Sequence, residues 1–143
     1  MKSIFVDTGA WIALTTQRDQ LHRVAAAYAR RLSLARIPLL TTNYVLVGAY
    51  THIRYNDGHP KALEFDSILQ NLTKTGRLTV TWVIEEVHAQ ALEIFRKYTD
   101  QAFSVVDCAS FVVARDGKIR EVFGFDKHFL TMGFVLKPGA TLV

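Results

Sequence analysis

Hydrophobic and polar positions follow two patterns along this chain. Some apolar residues form short continuous runs, and others recur three or four residues apart over longer stretches. The runs are read as strands over residues 2–7, 37–41, 78–83, 121–125 and 134–137. Between them lie helical patterns. Over residues 20–35, Leu21, Val24, Tyr28, Leu32 and Ala35 keep helical spacing, with Arg23 and Arg30 on the opposite side. Residues 43–55 read as a mostly apolar helix, Asn56-Asp57-Gly58-His59-Pro60 as a turn, and 61–72 as a further helix. Helices are also expected over 84–97, with Val87, Ala91 and Ile94 on one stripe, and over 104–115, stopped by Asp116-Gly117. A short helix is expected after Asp126. Strands alternating with helices predict an α/β fold around a mostly parallel sheet. Repeats, low-complexity tracts and linkers are not evident, so a single domain over 1–143 is expected.

Three acids interrupt this pattern. The apolar run Ile4-Phe5-Val6 ends at Asp7, and Thr8-Gly9-Ala10 leads directly into a helix. An acid there is costly if buried alone. Ligands of open parallel sheets bind at the carboxyl ends of the strands. A cap for the following helix explains Asp7 equally well on this segment alone. The pattern repeats at Asp126, which follows Glu121-Val122-Phe123-Gly124-Phe125, and taken alone Asp126 also reads as a cap. Asp107 lies three residues after Ser104, as in a capping box. Its helix is apolar nearly all round, which leaves that charge short of water and favours a functional role. Two parallel strands that end alike bring Asp7 and Asp126 to one edge, and Asp107 can join them from a helix start. Converging carboxylates repel one another unless a cation sits between them, and oxygen ligands suit Mg²⁺ or Mn²⁺. Such an ion polarises a phosphodiester and lowers the pKa of bound water.

Charge adds a direction to that chemistry. The 143 residues carry 17 Lys and Arg against 13 Asp and Glu, a net charge of +4. This favours a polyanionic partner. Arg18, Arg23, Arg30, Arg31 and Arg36 fall in one stretch, opposed there only by Asp19. Each alone reads as part of a solvated helix face, whereas the set suits a nucleic-acid backbone. Half of the residues are hydrophobic and the mean hydropathy is +0.13, which argues against disorder. No apolar run approaches the roughly 20 residues of a membrane span, and the start lacks the form of a signal peptide. The single cysteine excludes an internal disulfide framework, so a soluble cytoplasmic protein is expected, with Cys108 as buried packing.

The segments VDTGAWIAL, TTNYVLVGAYTHIR, FSVVDCASFVVAR and GFDKHF-x-x-x-GF, in this order, resemble the PIN domain. Within that family the VapC-type toxin ribonucleases are most similar, and the resemblance runs from residue 2 to about 136. It implies a three-layer α/β/α sandwich, a cluster of acids holding Mg²⁺ or Mn²⁺, and cleavage of RNA. It also implies a homodimer and a cognate antitoxin as partner. Carried over residue by residue, it assigns Asp7, Asp107 and Asp126 as catalytic metal ligands.

The resemblance breaks at Gly48, where the family usually has a glutamate in the helix after the second strand. Glycine in a helix interior also costs about 1 kcal/mol relative to alanine. Either the chain is a natural member with a weakened site, or a glutamate has been lost from an active toxin. The alternative function is accordingly a non-catalytic PIN domain that binds RNA or a protein. A phosphotransferase with Asp7 as nucleophile is disfavoured, because Gly9 stands where its second aspartate belongs. Thr8 reads as a helix cap or a water-steering hydroxyl, Asn43 as an N-cap, and Asp100 as part of a solvated loop. The five histidines show no ligand spacing, so surface or packing roles are expected for each, and Trp11 and Trp82 read as core aromatics.

Overall fold

The structure, a computed structural model, describes residues 2–139. The chain runs β1 (Ile4–Val6), α1 (Thr8–Thr15), α2 (His22–Leu34), β2 (Leu39–Thr42), α3 (Asn43–Asp57) and α4 (His59–Lys74). It continues through β3 (Leu78–Thr81), α5 (Glu85–Lys97), α6 (Val105–Asp116), β4 (Glu121–Phe123), α7 (His128–Thr131) and β5 (Val135–Lys137). The five strands form one sheet in the order β3-β2-β1-β4-β5. Every pairing is parallel, with Phe5 opposite Leu40 on one side and Val122 on the other.

Strands that all run parallel cannot be joined by hairpins. Each parallel connection needs a crossover, and the helices that supply it cover the sheet. All three residues of β1 are buried, which requires cover on both faces. Phe5 packs on one side near Phe129, within a group that includes Phe103, Phe111 and Phe134. Phe123 packs against Tyr28 of α2, and Trp11 against Phe65 of α4. Three layers with a parallel sheet in the middle are the architecture expected of this chain.

Two readings change. The turn expected over 56–60 shrinks to one residue, because α4 begins at His59 immediately after Gly58. Gly58 has φ +91, which a side chain resists, and Pro60 falls in the first turn of α4, where its missing N–H does no harm. Trp82 is not a core residue: it is 66% exposed, whereas Trp11 is 2% exposed. The reason is topological, since β3 lies at the sheet edge and Trp82 follows its last residue.

Inside α6, the Ser110 hydroxyl is buried without a hydrogen-bond partner. Its replacement by alanine removes an unpaired polar group from the core. Ser110→Ala is expected to stabilise the fold by about 1 kcal/mol in chemical denaturation.

Candidate active site

The connectivity builds the site. From β1 the chain winds outward to β2 and β3, then returns to β4 on the other side of β1. A crevice opens at the carboxyl ends of β1 and β4, where the winding reverses direction. Asp7 follows β1 and Asp126 follows β4 by three residues, so both stand at its mouth. The Asp7 N–H bonds to the Phe123 carbonyl at 2.9 Å, which fixes the two strand ends together.

Asp7 occupies the N-cap position of α1, but its carboxylate makes no capping bond, and it is only 5% exposed. Burial pushes its carboxyl up to about 7. The Thr8 N–H beside it opposes that rise, and the charges of Asp107 and Asp126 add to it. The cap explanation for Asp7 therefore fails, and what remains is a buried acid facing two others. Asp107 does cap its helix. Its N–H donates to Ser104 Oγ at 2.9 Å, and its Oδ2 accepts from the Ser104 N–H at 3.0 Å. That box fixes the carboxylate and leaves it further acceptor capacity. Asp126 Oδ1 accepts from the His128 N–H at 2.9 Å and begins the turn into α7.

His128 is the residue that sequence reading placed elsewhere. Its Nδ1 lies 3.1 Å from Asp107 Oδ2 and 3.2 Å from Asp126 Oδ1. The ring bridges the two carboxylates and packs edge-on against Phe103. Ligand atoms of Asp107, Asp126 and His128 all lie within 4.8 Å of one another, a spacing that could hold a metal ion. Asp7 stands outside that triad and senses it through charge. Two hard carboxylate donors and one imidazole fit a small divalent cation, with carboxylates the ligands preferred by Mg²⁺ and Mn²⁺. The signal for His128 was the Asp-x-His spacing at 126–128, which places both groups on one turn.

Gly124 was missed as well. A Cβ there would lie 3.0 Å from Asp7 Cβ and 3.6 Å from its Oδ2, so the chain leaving β4 passes so close to Asp7 that a side chain fits only if Asp7 gives way. An isolated glycine between Phe123 and Phe125 in a strand is the pattern that marks such an approach. Gly124→Ala is expected to displace Asp7 by a few tenths of an ångström. Its effect on metal-dependent RNA cleavage should be a loss of about tenfold or more, with the fold retained by circular dichroism.

Gly48 sits across from Thr8. A Cβ there would meet Thr8 Cγ2 at 3.8 Å and Oγ1 at 4.0 Å, which is ordinary contact. The position next to the site is open to a side chain, and nothing in its packing demands glycine. Asn43 is not the N-cap of α3. Thr42 takes that role by accepting from the Val45 N–H, while Asn43 Oδ1 accepts from the Val83 N–H at 2.6 Å and ties down the loop after β3. Cys108 is buried, and burial with the neighbouring Asp107 pushes its thiol up to about 11, far from a nucleophile.

The family profile of the PIN domain matches residues 4–135. The chain belongs to the PIN domain family. It is 32% identical over 133 residues to the 23S rRNA-specific endonuclease VapC20 of Mycobacterium tuberculosis H37Rv, covering 92% of this chain and 95% of that protein. It is 28% identical over 128 residues to the VapC ribonuclease of Archaeoglobus fulgidus, covering 87% of this chain and 77% of the relative. The crystal structure of Mycobacterium tuberculosis VapC20, described as a sarcin-ricin loop cleaving toxin, superposes with a TM-score of 0.80 at 31% identity. That match covers 93% of this chain and 97% of VapC20. No helix among the described residues is long and apolar enough to cross a membrane.

Proposed function

We propose that this PIN domain is a metal-dependent endoribonuclease, the toxin of a toxin–antitoxin pair, working at the crevice between β1 and β4. The observation that carries the reading is the buried carboxylate of Asp7 facing Asp107 and Asp126, a concentration of negative charge that a divalent cation would relieve. Asp107, Asp126 and His128 would hold the divalent ion, Mg²⁺ or Mn²⁺, with Asp7 as the third carboxylate near them. When bound, the ion supplies Lewis-acid activation of the phosphodiester and lowers the barrier to attack by water. Ser104 keeps the Asp107 carboxylate aimed into the crevice by donating its N–H to Oδ2. The Thr8 N–H opposes the rise caused by burial and keeps Asp7 closer to its charged form. RNA is the substrate class, a cognate antitoxin the protein partner, and a homodimer the working assembly. Large-subunit ribosomal RNA is the first substrate to test, because it names the activity of the relative VapC20.

The test is cleavage of ribosomal RNA and of a mixed RNA pool with Mn²⁺ or with EDTA, alongside Mn²⁺ binding followed by electron paramagnetic resonance. Fragments in Mn²⁺ only, lost together with Mn²⁺ binding in Asp107→Asn, are expected. Absence of both binding and cleavage in the folded protein would leave the second reading, a PIN domain that binds without cutting, which Gly48 favours.

A further inference from the structure

Charge in this molecule is divided between the two edges of the sheet. The carboxyl edge carries Asp7, Glu85, Glu86 and Asp126 in or next to the loops that leave the strands, answered there by Lys127. The opposite edge, where the strands begin, is basic. Arg77 precedes β3, Arg36 precedes β2, Lys2 precedes β1, and Lys118 and Arg120 precede β4. With Arg31 at the end of α2, these side chains line three adjoining hollows, in which Glu121 is the acid. Among the described residues, none of the six forms an ion pair.

Two of these cations occupy backbone positions that disfavour them. Arg36 has φ 55 and Lys118 has φ 57, the left-handed region where glycine is the usual residue. Each ends a helix in the same way. The Arg36 and Ile37 N–H groups bond back to Ser33 and Leu32, and those of Lys118 and Ile119 to Arg115 and Ala114. The equivalent turn after α4 uses Gly76, with φ 78, followed by Arg77. The chain can therefore place glycine in this turn, and does so again at Gly133 after α7, yet at two of four such ends it holds a long cation in a strained conformation. Helix carboxyl ends attract cations, but that attraction is equally available from positions without strain. Strain retained at a surface position points to a role outside the fold.

We propose that the amino edge of the sheet is a second RNA-binding surface, holding the substrate backbone at a distance from the cleavage crevice. In the strand order β3-β2-β1-β4, the cations form a row that spans roughly 15 Å at about 4.8 Å per strand. A row of separated charges matches a linear polyphosphate better than a single anion. The acidic crevice repels RNA until metal is bound, so the attraction that brings the two together has to come from elsewhere. A structured RNA reaches both edges, whereas a short oligonucleotide engages only the crevice. This inference rests on RNA being the substrate.

The test measures binding of a labelled structured RNA of about 60 nucleotides in EDTA, from 50 to 300 mM KCl. The natural chain is compared with the triple variant Arg36→Gly/Lys118→Gly/Arg120→Gln. The variant is expected to bind at least about tenfold more weakly at 100 mM KCl, with a salt slope shallower by about 2. Its melting temperature should be unchanged or raised, since glycine relieves the strained turns; a merely structural role predicts a lower one. Lys2→Gln/Arg120→Gln, which leaves the turns untouched, is expected to weaken binding in the same direction and serves if the triple variant does not fold. Equal affinity and slope in folded variants would overturn the proposal, as would an RNA that the natural chain does not bind. Mn²⁺-dependent cleavage of an oligonucleotide of about 10 residues, too short to reach the amino edge, reads the nuclease assignment separately. It is expected to be the same in all three proteins, and its absence would fault that assignment rather than the basic edge.

Discussion

Replacing Asp7 by asparagine is expected to stabilise the metal-free protein above pH 7 while abolishing metal-dependent RNA cleavage. The carboxyl is held at about 7 in the folded state against 3.8 ordinarily, mainly by burial. A raised acid pKa means the folded state binds the proton more tightly than the unfolded state. Its contribution is therefore most favourable below about pH 4, falls as pH rises from about 4 to 7, and is constant beyond. A shift of this size corresponds to roughly 4 kcal/mol at most. The asparagine amide needs partners of its own in a buried site, which cost about 1–3 kcal/mol if unmet. A net gain of about 2 kcal/mol at pH 8 is expected, several degrees in melting temperature. The stability difference between variant and natural chain should grow between pH 4 and 7, then level off. Added Mn²⁺ should shrink it, because the ion offsets the buried charge only where the charge exists. Parallel pH profiles for the two proteins would show that Asp7 is not the strained group. This opposition of stability and activity is characteristic of sites that concentrate like charge for function.

Gly48→Glu is expected to raise Mn²⁺-dependent cleavage by at least about tenfold, by adding a carboxylate ligand beside Thr8. Space is available, since the nearest atoms to a Cβ at this position are 3.8 and 4.0 Å away. The stability effect depends on metal. Leaving glycine in a helix interior gains about 0.5 kcal/mol for glutamate, but a fourth acid near Asp7, Asp107 and Asp126 adds repulsion of similar or greater size. The variant should be no more stable than the natural chain in EDTA and more stable in Mn²⁺. Gly48→Ala separates the two contributions: it should stabilise the protein by about 1 kcal/mol in both conditions and leave cleavage unchanged. Equal cleavage by the glutamate and alanine variants would mean that position 48 takes no part in metal binding. In that case the reduced donor set of Asp107, Asp126 and His128, with Asp7 beside it, is the complete site of this chain.

The exposed tryptophan at position 82 and the bridging histidine at 128 show where reading the chain in one dimension stops. Apolar runs, helical spacing and turn residues determined the α/β fold, because strands buried on both faces leave continuous apolar runs and the helices that cover them leave apolar stripes at helical spacing. They also singled out the three acids as candidates, since a carboxylate set among apolar residues conflicts with its surroundings. The sequence could not say which of those acids is capped and which is strained. Asp107 and Asp126 accept backbone bonds that begin their helices, whereas Asp7 stands at a cap position without a capping bond and has only the Thr8 N–H beside it. That distinction depends on how tightly β1 and β4 approach, and the 3.0 Å clearance at Gly124 exists only once the strands are paired. His128 and Trp82 follow the same logic. Their surroundings are set by strand order, which places α7 beside Asp107 and leaves the end of β3 at an edge, and strand order is carried by long-range pairing rather than by local pattern.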